Sequence, residues 1–228
     1  MANRYFTQDT LRFLEEIAAN NNREWFAQHK QTYEIAVRAP ALDFITDMAD
    51  ELALISPHFL AVPKKVGGSL MRVHRDTRFG KDKRPYKTNI GIQFRHEMGK
   101  NVHAPGYYLH VEPGECFVGV GIWRPDASAL GKIRDAILEN SNGWLNASRE
   151  KNFKEVFALT GESLVNAPRG YPKEHPLIKD LKRKDFIALS EMSEKCITSK
   201  NLKSLVLDKF STATPYIKFL CEALELHF

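Results

Sequence analysis

The sequence has little cysteine and no long apolar run, and each shortage excludes a class of protein. Its three cysteines are scattered through 228 residues and form no CxxC pair, which argues against a disulfide framework or a zinc knuckle. No apolar run approaches the roughly 18–20 residues that cross a bilayer. The N-terminal MANRYFTQDT also lacks the apolar region of a signal peptide. We therefore expect a cytoplasmic protein with no membrane partner.

Motifs that identify common enzyme classes are also missing. The sequence contains no Walker A motif, no GxGxxG and no GxSxG elbow. The composition is that of an ordinary globular chain, with 43% apolar and 27% charged residues. We assign no cofactor, no metal and no catalytic residue from the sequence. Whether the protein is an enzyme, and which oligomeric state it adopts, stay open at this point.

Hydrophobic periodicity changes along the chain and predicts an α+β fold. Apolar residues recur with helical spacing in residues 1–57 and alternate with a period of two in residues 66–125. Helical spacing returns in residues 126–228, where FIALSEM (186–192) adds one further strand. We predict a single domain, 1–228, in which N- and C-terminal helices cover the apolar face of an antiparallel sheet of about five strands.

The alternation assigns faces to the strands predicted at 69–76, 89–95, 106–112 and 115–123. If Glu112 pairs with Glu115 across a Pro-Gly turn, the last hairpin has one wholly apolar face. That face consists of Tyr107, Leu109, Val111, Cys116, Val118, Val120 and Ile122. The opposite face carries Tyr108, His110, Glu112, Phe117 and Trp123, together with Gly91, Gly119 and Gly121. These glycines indicate either tight packing, such as Tyr108 over Gly119, or close approach of a ligand.

The charge asymmetry of the chain is concentrated in RVHRDTRFGKDKRPYKTN, residues 72–89. Seven Lys and Arg against two Asp give this segment a charge of +5, which equals the net charge of the whole chain. A loop between two strands gathers these charges at one end of the sheet, where arginine can hold a carboxylate or phosphate bidentately. In the alternative interpretation, Asp76 and Asp82 pair with Arg75 and Arg78 and only hold the loop together.

We predict a binding site for a small anionic, phosphorylated ligand where this loop meets the sheet. The candidate residues are Arg72, Arg75, Arg78, Lys81, Lys83, Tyr86, Lys87, Tyr108, His110, Glu112 and Trp123. Among the aromatic residues of the loop, Phe79 and Tyr86 would offer ring faces to the ligand.

Two alternative functions stay open. The first is a nucleic-acid-binding module, in which the KRK cluster at residues 182–184 extends the basic patch if it folds nearby. The second is an enzyme that uses His110 and Glu112 for acid–base chemistry. In that case His74 and Asp76, which share a predicted strand face, could complete a metal site.

Four segments give the chain a resemblance to a known family. They are NNNREWFAQHKQTYE (20–34), RDTRFGKDKRPYKTN (75–89), GYYLHVEPGECFVGVGIWRP (106–125) and PRGYPKEHPLIKDLKRKDF (168–186). Together they resemble the family of conserved hypothetical proteins classed as domain of unknown function 2461. The resemblance implies a single-domain α+β protein. It supplies no catalytic residue, because the family has no established activity.

Overall fold

The fold is seen in a computed structural model, which describes residues 5–78, 81–99 and 104–228. Its centre is an antiparallel sheet of six strands with the order β1-β2-β3-β4-β6-β5. The strands are β1 Phe59–Leu60, β2 Ile90–His96, β3 Gly106–Glu112, β4 Glu115–Ile122, β5 Ala158–Thr160 and β6 Phe186–Met192. The predicted α+β class is confirmed, with six strands instead of about five.

Helices from both ends of the sequence pack on one face of this sheet. The N-terminal helices are α1 Gln8–Ala19, α2 Arg23–Gln28, α3 Lys30–Tyr33, a π-helix at Glu34–Arg38 and α4 Ala39–Ile55. The later helices are α5 Ala127–Glu139, α6 Ser141–Arg149, α7 Lys151–Val156, α8 Ile178–Leu181, α9 Glu194–Ile197, α10 Leu202–Thr212 and α11 Thr214–Ala223. Within the described residues, no helix is long and apolar enough to span a membrane.

The predicted faces and register of the central hairpin are confirmed. Glu112 pairs with Glu115, and Tyr108 lies opposite Gly119. All seven side chains of the predicted apolar face are buried, with at most 6% exposure. Phe210 of α10 covers them, and its ring centroid lies 4.4 Å from that of Tyr107. Each large apolar side chain buried in this way contributes about 1.5–3 kcal/mol.

A π-helix lies between α3 and α4 in the N-terminal helical region, and Pro40 explains why. Proline has no N–H, so the carbonyl of Ala36 lacks the donor that a regular helix would supply four residues later. The buried Thr10 hydroxyl donates to that carbonyl at 2.7 Å. The backbone hydrogen bonds here take the wider spacing of a π-helix, in which the Ala39 N–H donates to the Glu34 carbonyl five residues earlier. The hydrogen bond from Thr10 thus links α1 to the π-helix that precedes α4.

Two local predictions were wrong. The segment 69–76 forms only isolated bridges, Leu70 with Ile92 and His74 with Tyr86, because Pro85 offers no N–H to complete a ladder beside it. Residues 158–160 belong to the part of the chain predicted to be helical apart from 186–192, and instead form the edge strand β5. Gly161, which follows this strand, has φ +103° and sits against Asp185, where an added Cβ would lie 2.5 Å from the Asp185 Cβ.

Candidate functional site

The basic segment 72–89 folds back on itself and leads directly into β2. The Arg75 N–H donates to the Pro85 carbonyl at 2.9 Å, and the Lys87 N–H donates to the Val73 carbonyl at 2.8 Å. Because Ile90 at the start of β2 pairs with Val111 near the end of β3, the loop lies at that end of the sheet. The loop therefore occupies the position that the strand pattern predicted.

The N-terminal motif anchors this loop through Tyr86. The Asn21 side chain accepts from the Tyr86 N–H and donates to the Tyr86 carbonyl, both at 3.0 Å. Phe26 stacks on the Tyr86 ring with centroids 4.2 Å apart. The Tyr86 residue is only 5% exposed, so its ring packs inward instead of presenting a free face. Phe79, the other aromatic residue considered for this role, lies outside the described residues.

The arginines of the loop pair with its two aspartates. Arg78 holds Asp76, with Nη2 and Oδ2 2.7 Å apart, and Arg84 holds Asp82 at the same distance. Arg75 also contacts Asp82. Hydrogen bonds from Arg78 hold the pKa of Asp76 well below its usual range, and those from Arg84 and then Arg75 do the same for Asp82. The internal pairing that the sequence left open is therefore present, but it is exposed to solvent.

Lys87 differs from Arg75, Arg78 and Arg84, which pair with the aspartates of the loop. Its side chain is half-buried, and within the described residues its nearest polar contact is the Met71 sulfur, 3.9 Å from Nζ. It forms no ion pair with any described carboxylate. Burial, and then repulsion from Arg72, lower the pKa of Lys87. A partly desolvated ammonium without a counter-ion is unfavourable, and a bound anion would relieve that cost.

Lys87 lines a basic cleft of about 480 Å³ beside the end of β3. The residues of this basic cleft are Arg75, Asp76, Arg84, Tyr86, Lys87, Thr88, Asn89, Tyr108 and His110. The structure thus brings the predicted residues Arg75, Tyr86, Lys87, Tyr108 and His110 together. Glu112 joins them through its contact with His110. The predicted residues that do not line this cleft are Arg72, Arg78, Lys81, Lys83 and Trp123.

Four residues of the basic cleft were not among the predicted ligand-binding residues; one of them, Asp76, was considered as a pairing partner within the loop and as a metal ligand. Asn89 precedes Gly91 by two positions in the strand predicted at 89–95, so the alternation places both on one face and contains a signal for Asn89. Thr88 precedes it and is brought to the cleft by a contact with Glu112. Arg84 lies in the same basic segment, but its orientation depends on the local fold of the loop, which charge alone does not reveal.

Hydrogen bonds connect Tyr108, His110, Glu112 and Thr88 in a row at the wall of this cleft. The His110 Nε2 lies 3.1 Å from the Glu112 Oε2, and the His110 Nδ1 lies 3.0 Å from the Tyr108 hydroxyl. Because the carboxylate only accepts, Nε2 carries the proton and Nδ1 accepts from Tyr108. The Thr88 hydroxyl donates to the other Glu112 oxygen. Burial raises the pKa of Tyr108 to about 12, so its hydroxyl stays protonated at neutral pH.

The His110 ring is held in place from the neighbouring strand. It stacks on Phe117 with centroids 4.6 Å apart and an interplanar angle of 4°. In the described part of the chain, no group of three or more His, Cys, Asp or Glu is arranged to hold a metal ion. Tyr108, Glu112 and Phe117 together fix the orientation of the His110 ring.

A second, apolar cleft of about 470 Å³ lies on the sheet face opposite the core. Its walls are the side chains of Met71, Tyr108, His110, Phe117, Trp123, Ile187 and Leu189, with Gln93 and Arg95 on the rim. The backbone of Gly119 and Gly121 also lines it. Trp123, one of the predicted site residues that do not line the basic cleft, lies here and is 63% exposed. Tyr108 and His110 line both clefts, so the two clefts adjoin.

The protein's own packing explains the three glycines of this face. A Cβ on Gly91 would lie 2.8 Å from the Tyr108 hydroxyl and from the Met71 sulfur. Gly121 has φ +115°, and a Cβ there would lie 2.0 Å from the Phe186 carbonyl. At Gly119 the nearest atom would be a Leu189 methyl at 3.2 Å. Of the two sequence interpretations, tight packing accounts for these positions without a ligand.

The second basic cluster, residues 182–184, lies at the opposite end of the sheet. Phe186 at the start of β6 pairs with Ile122 at the end of β4, whereas the basic cleft lies beside the other end of that sheet. The Lys182 and Lys184 ammonium groups contact the Val165 carbonyl and the Glu162 carboxylate. The cluster therefore does not extend the basic patch of the loop, and nucleic-acid binding gains no support from its position.

The fold and the two clefts define an α+β protein with a joined basic and apolar groove on one face of an antiparallel sheet. The chain belongs to the family described as conserved hypothetical protein (DUF2461), whose model matches residues 9–219. The resemblance inferred from the four motifs is thus confirmed. No curated protein and no solved structure matches the chain.

Proposed function

We propose that this protein binds a small anionic ligand, with phosphate as the preferred group, in the basic cleft. The half-buried Lys87 ammonium carries the proposal, since no described carboxylate pairs with it and it faces a cleft of about 480 Å³. Pockets that hold small ligands have volumes of about 300–1,000 Å³. A bound anion would supply Lys87 with the counter-ion that no described carboxylate provides.

Two arginines can support an anion at Lys87. Arg75 and Arg84 line the same cleft and share a single carboxylate, that of Asp82. A guanidinium has five N–H donors, so each arginine can hold Asp82 and still donate to a ligand. Asp82 also keeps the two arginines in the cleft when no ligand is bound. The internal pairing and the anion site are thus compatible.

Calorimetric titration with inorganic phosphate and pyrophosphate tests this function. We expect saturable binding by the wild-type protein and at least a tenfold loss of affinity in Lys87→Met, because a hydrogen bond to a charged group contributes about 1.5–3 kcal/mol. Lys173→Met is the matched control, since Lys173 is exposed and lines neither cleft. Absence of binding in the wild-type protein, or equal losses in both variants, would contradict the proposal.

The hydrogen-bonded row at the cleft wall favours a second candidate function, acid–base catalysis on the bound anion. Glu112 orients His110, and His110 accepts from a tyrosine hydroxyl that faces both clefts. An oriented imidazole of this kind can take up the hydroxyl proton of Tyr108 at Nδ1, and the phenolate that remains can accept a proton from a substrate. The stacked Phe117 keeps the ring in the required orientation.

A panel of chromogenic phosphate mono- and diesters separates a binding protein from such an enzyme. If the row is catalytic, His110→Asn and Glu112→Gln lose turnover by about 10²–10⁴-fold while they retain phosphate binding. If the wild-type protein binds phosphate but turns over no member of the panel, the result favours binding alone.

A further inference from the structure

The apolar cleft would be unused if the ligand were a bare anion. Phe117 and Leu189, which line this cleft, are half-buried, while Trp123 leaves 63% of its surface exposed. Exposed apolar surface that lines a concavity is typical of a binding site. The cleft volume of about 470 Å³ is also close to that of the basic cleft.

The two clefts share a boundary, and beyond it Arg95 is the one Lys or Arg among the described residues that line the apolar cleft, with its Nε donating to the Gln93 side chain. Tyr108 and His110 line both of them. From His110 the apolar cleft follows β3 back to Gly106, four residues away. At about 3.3 Å per residue this path is roughly 13 Å long. An elongated apolar group that begins at Lys87 can therefore lie along the strand.

We infer that the ligand is an amphiphilic anion whose phosphate head lies at Lys87 and whose alkyl tail lies in the apolar cleft. This inference rests on the proposed function, because the head group is the anion assigned to the basic cleft. Charge complementarity selects the head, since Arg75, Arg84 and Lys87 surround one end of the groove. The apolar walls of Phe117, Ile187 and Leu189 select the tail.

A homologous series of ligands tests the inference. Inorganic phosphate, butyl phosphate, hexyl phosphate and octyl phosphate are titrated calorimetrically into the protein, with hexanol as the uncharged control. Each methylene buried in the apolar cleft should tighten binding about fourfold, the change that corresponds to roughly 0.8 kcal/mol per CH₂. Hexanol should bind far more weakly than hexyl phosphate.

Two variants locate the tail and the head. Trp123→Ala should weaken octyl phosphate severalfold and leave inorganic phosphate unchanged, because Trp123 borders only the apolar cleft. Its exposure makes a loss of folding an improbable explanation. Leu54→Ala is the matched control, since Leu54 is 86% exposed and lies outside both clefts. Lys87→Met should weaken every phosphate in the series.

The outcomes separate this inference from the proposed function. Binding of all four phosphates with the same affinity would overturn the amphiphilic ligand and retain the anion site. No binding by any phosphate would overturn both. Equal affinity for hexanol and hexyl phosphate would show that the cleft selects only the tail, which contradicts the head group assigned here.

Discussion

Residues 72–89 and 168–186 are both rich in lysine and arginine, but their cations meet different partners. In the first segment, the carboxylates of Asp76 and Asp82 are exposed, with 39% and 36% of their side-chain surface accessible. In the second, Asp180 is buried to 2% exposure and receives Arg149 at 2.6 Å and Arg183 at 3.6 Å. Basic composition is therefore a poor guide to the role of a segment.

The buried carboxylates of the second segment have structural partners on several elements. Asp185 accepts from the Arg124 N–H at 2.8 Å and from the Glu162 N–H at 2.9 Å, which joins the end of β4 to the start of β6. Nearby, the buried Arg134 donates to the Leu181 and Arg183 carbonyls. In contrast, the loop at 72–89 directs Lys87 towards an open cleft. One segment stabilises the fold through buried pairs, and we propose that the other binds a ligand.

The largest effect on stability should come from the second segment. Asp180→Asn leaves Arg149 and Arg183 without their buried carboxylate, and loss of one partner of such a pair costs about 3 kcal/mol. Urea unfolding measures the change. Asp76→Asn, at an exposed pair in the loop, is the matched control and should change stability little. Similar losses of unfolding free energy in Asp180→Asn and Asp76→Asn would contradict the difference between the two segments.

Substitution of Lys87 should stabilise the ligand-free protein and at the same time weaken anion binding. Because Lys87 is partly desolvated without a counter-ion, Lys87→Met should raise the free energy of unfolding of the ligand-free protein by about 0.5–1 kcal/mol. The same variant is expected to lose anion affinity. Urea unfolding gives the free energy of unfolding, and calorimetry on the same preparation gives the anion affinity. A Lys87→Met protein that is less stable than the wild type would indicate that Lys87 has a structural role.

The pH dependence of binding should also trace to Lys87. Because the pKa of Lys87 is lowered, half of the ammonium groups have lost their proton at a pH below 10.5, the usual pKa of lysine. Anion affinity should therefore fall as the pH rises from 7 towards 10.5, and Lys87→Arg should hold it nearly constant because arginine stays charged. In the same interval the unfolded chain binds more protons than the folded chain, so the stability of the free protein should rise. A pH-independent affinity in the wild type would argue against Lys87 as the main cation.

The smallest effect is expected at Arg78. It pairs with Asp76 at the surface and lines neither cleft. Arg78→Ala should therefore change phosphate affinity by less than twofold in the calorimetric titration. A loss comparable to that of Lys87→Met would mean that the whole loop, and not the cleft, holds the anion.

The sheet was the most predictable part of the molecule. Strict alternation in GYYLHVE and ECFVGVGI assigns each side chain to a face, and a two-residue turn allows one register. The alternation therefore predicted both the buried face and the shared face of Tyr108 and His110. It could not predict that Ile187 and Leu189 border the same cleft, since that depends on which strand pairs with β4.

The basic loop was less predictable, because its structure depends on distant residues. Asn21 and Phe26 bind Tyr86 from more than 55 positions away, and no local pattern reveals this contact. Whether Lys87 or Arg72 faces a cleft depends on that anchoring. The position of residues 182–184 likewise follows from the pairing of β6 with β4 and not from their charge.

Amide chemical shifts recorded during a titration with hexyl phosphate test the central claim most directly. We predict saturating shifts at Lys87, Thr88 and Asn89 and along Gly119 and Gly121, which border the two clefts. The amides of Glu162 and Lys184, in the second basic region, should not move. Shifts at Glu162 and Lys184 in place of those at Lys87–Asn89, or no saturable shifts at all, would contradict the assignment of the loop as the ligand site.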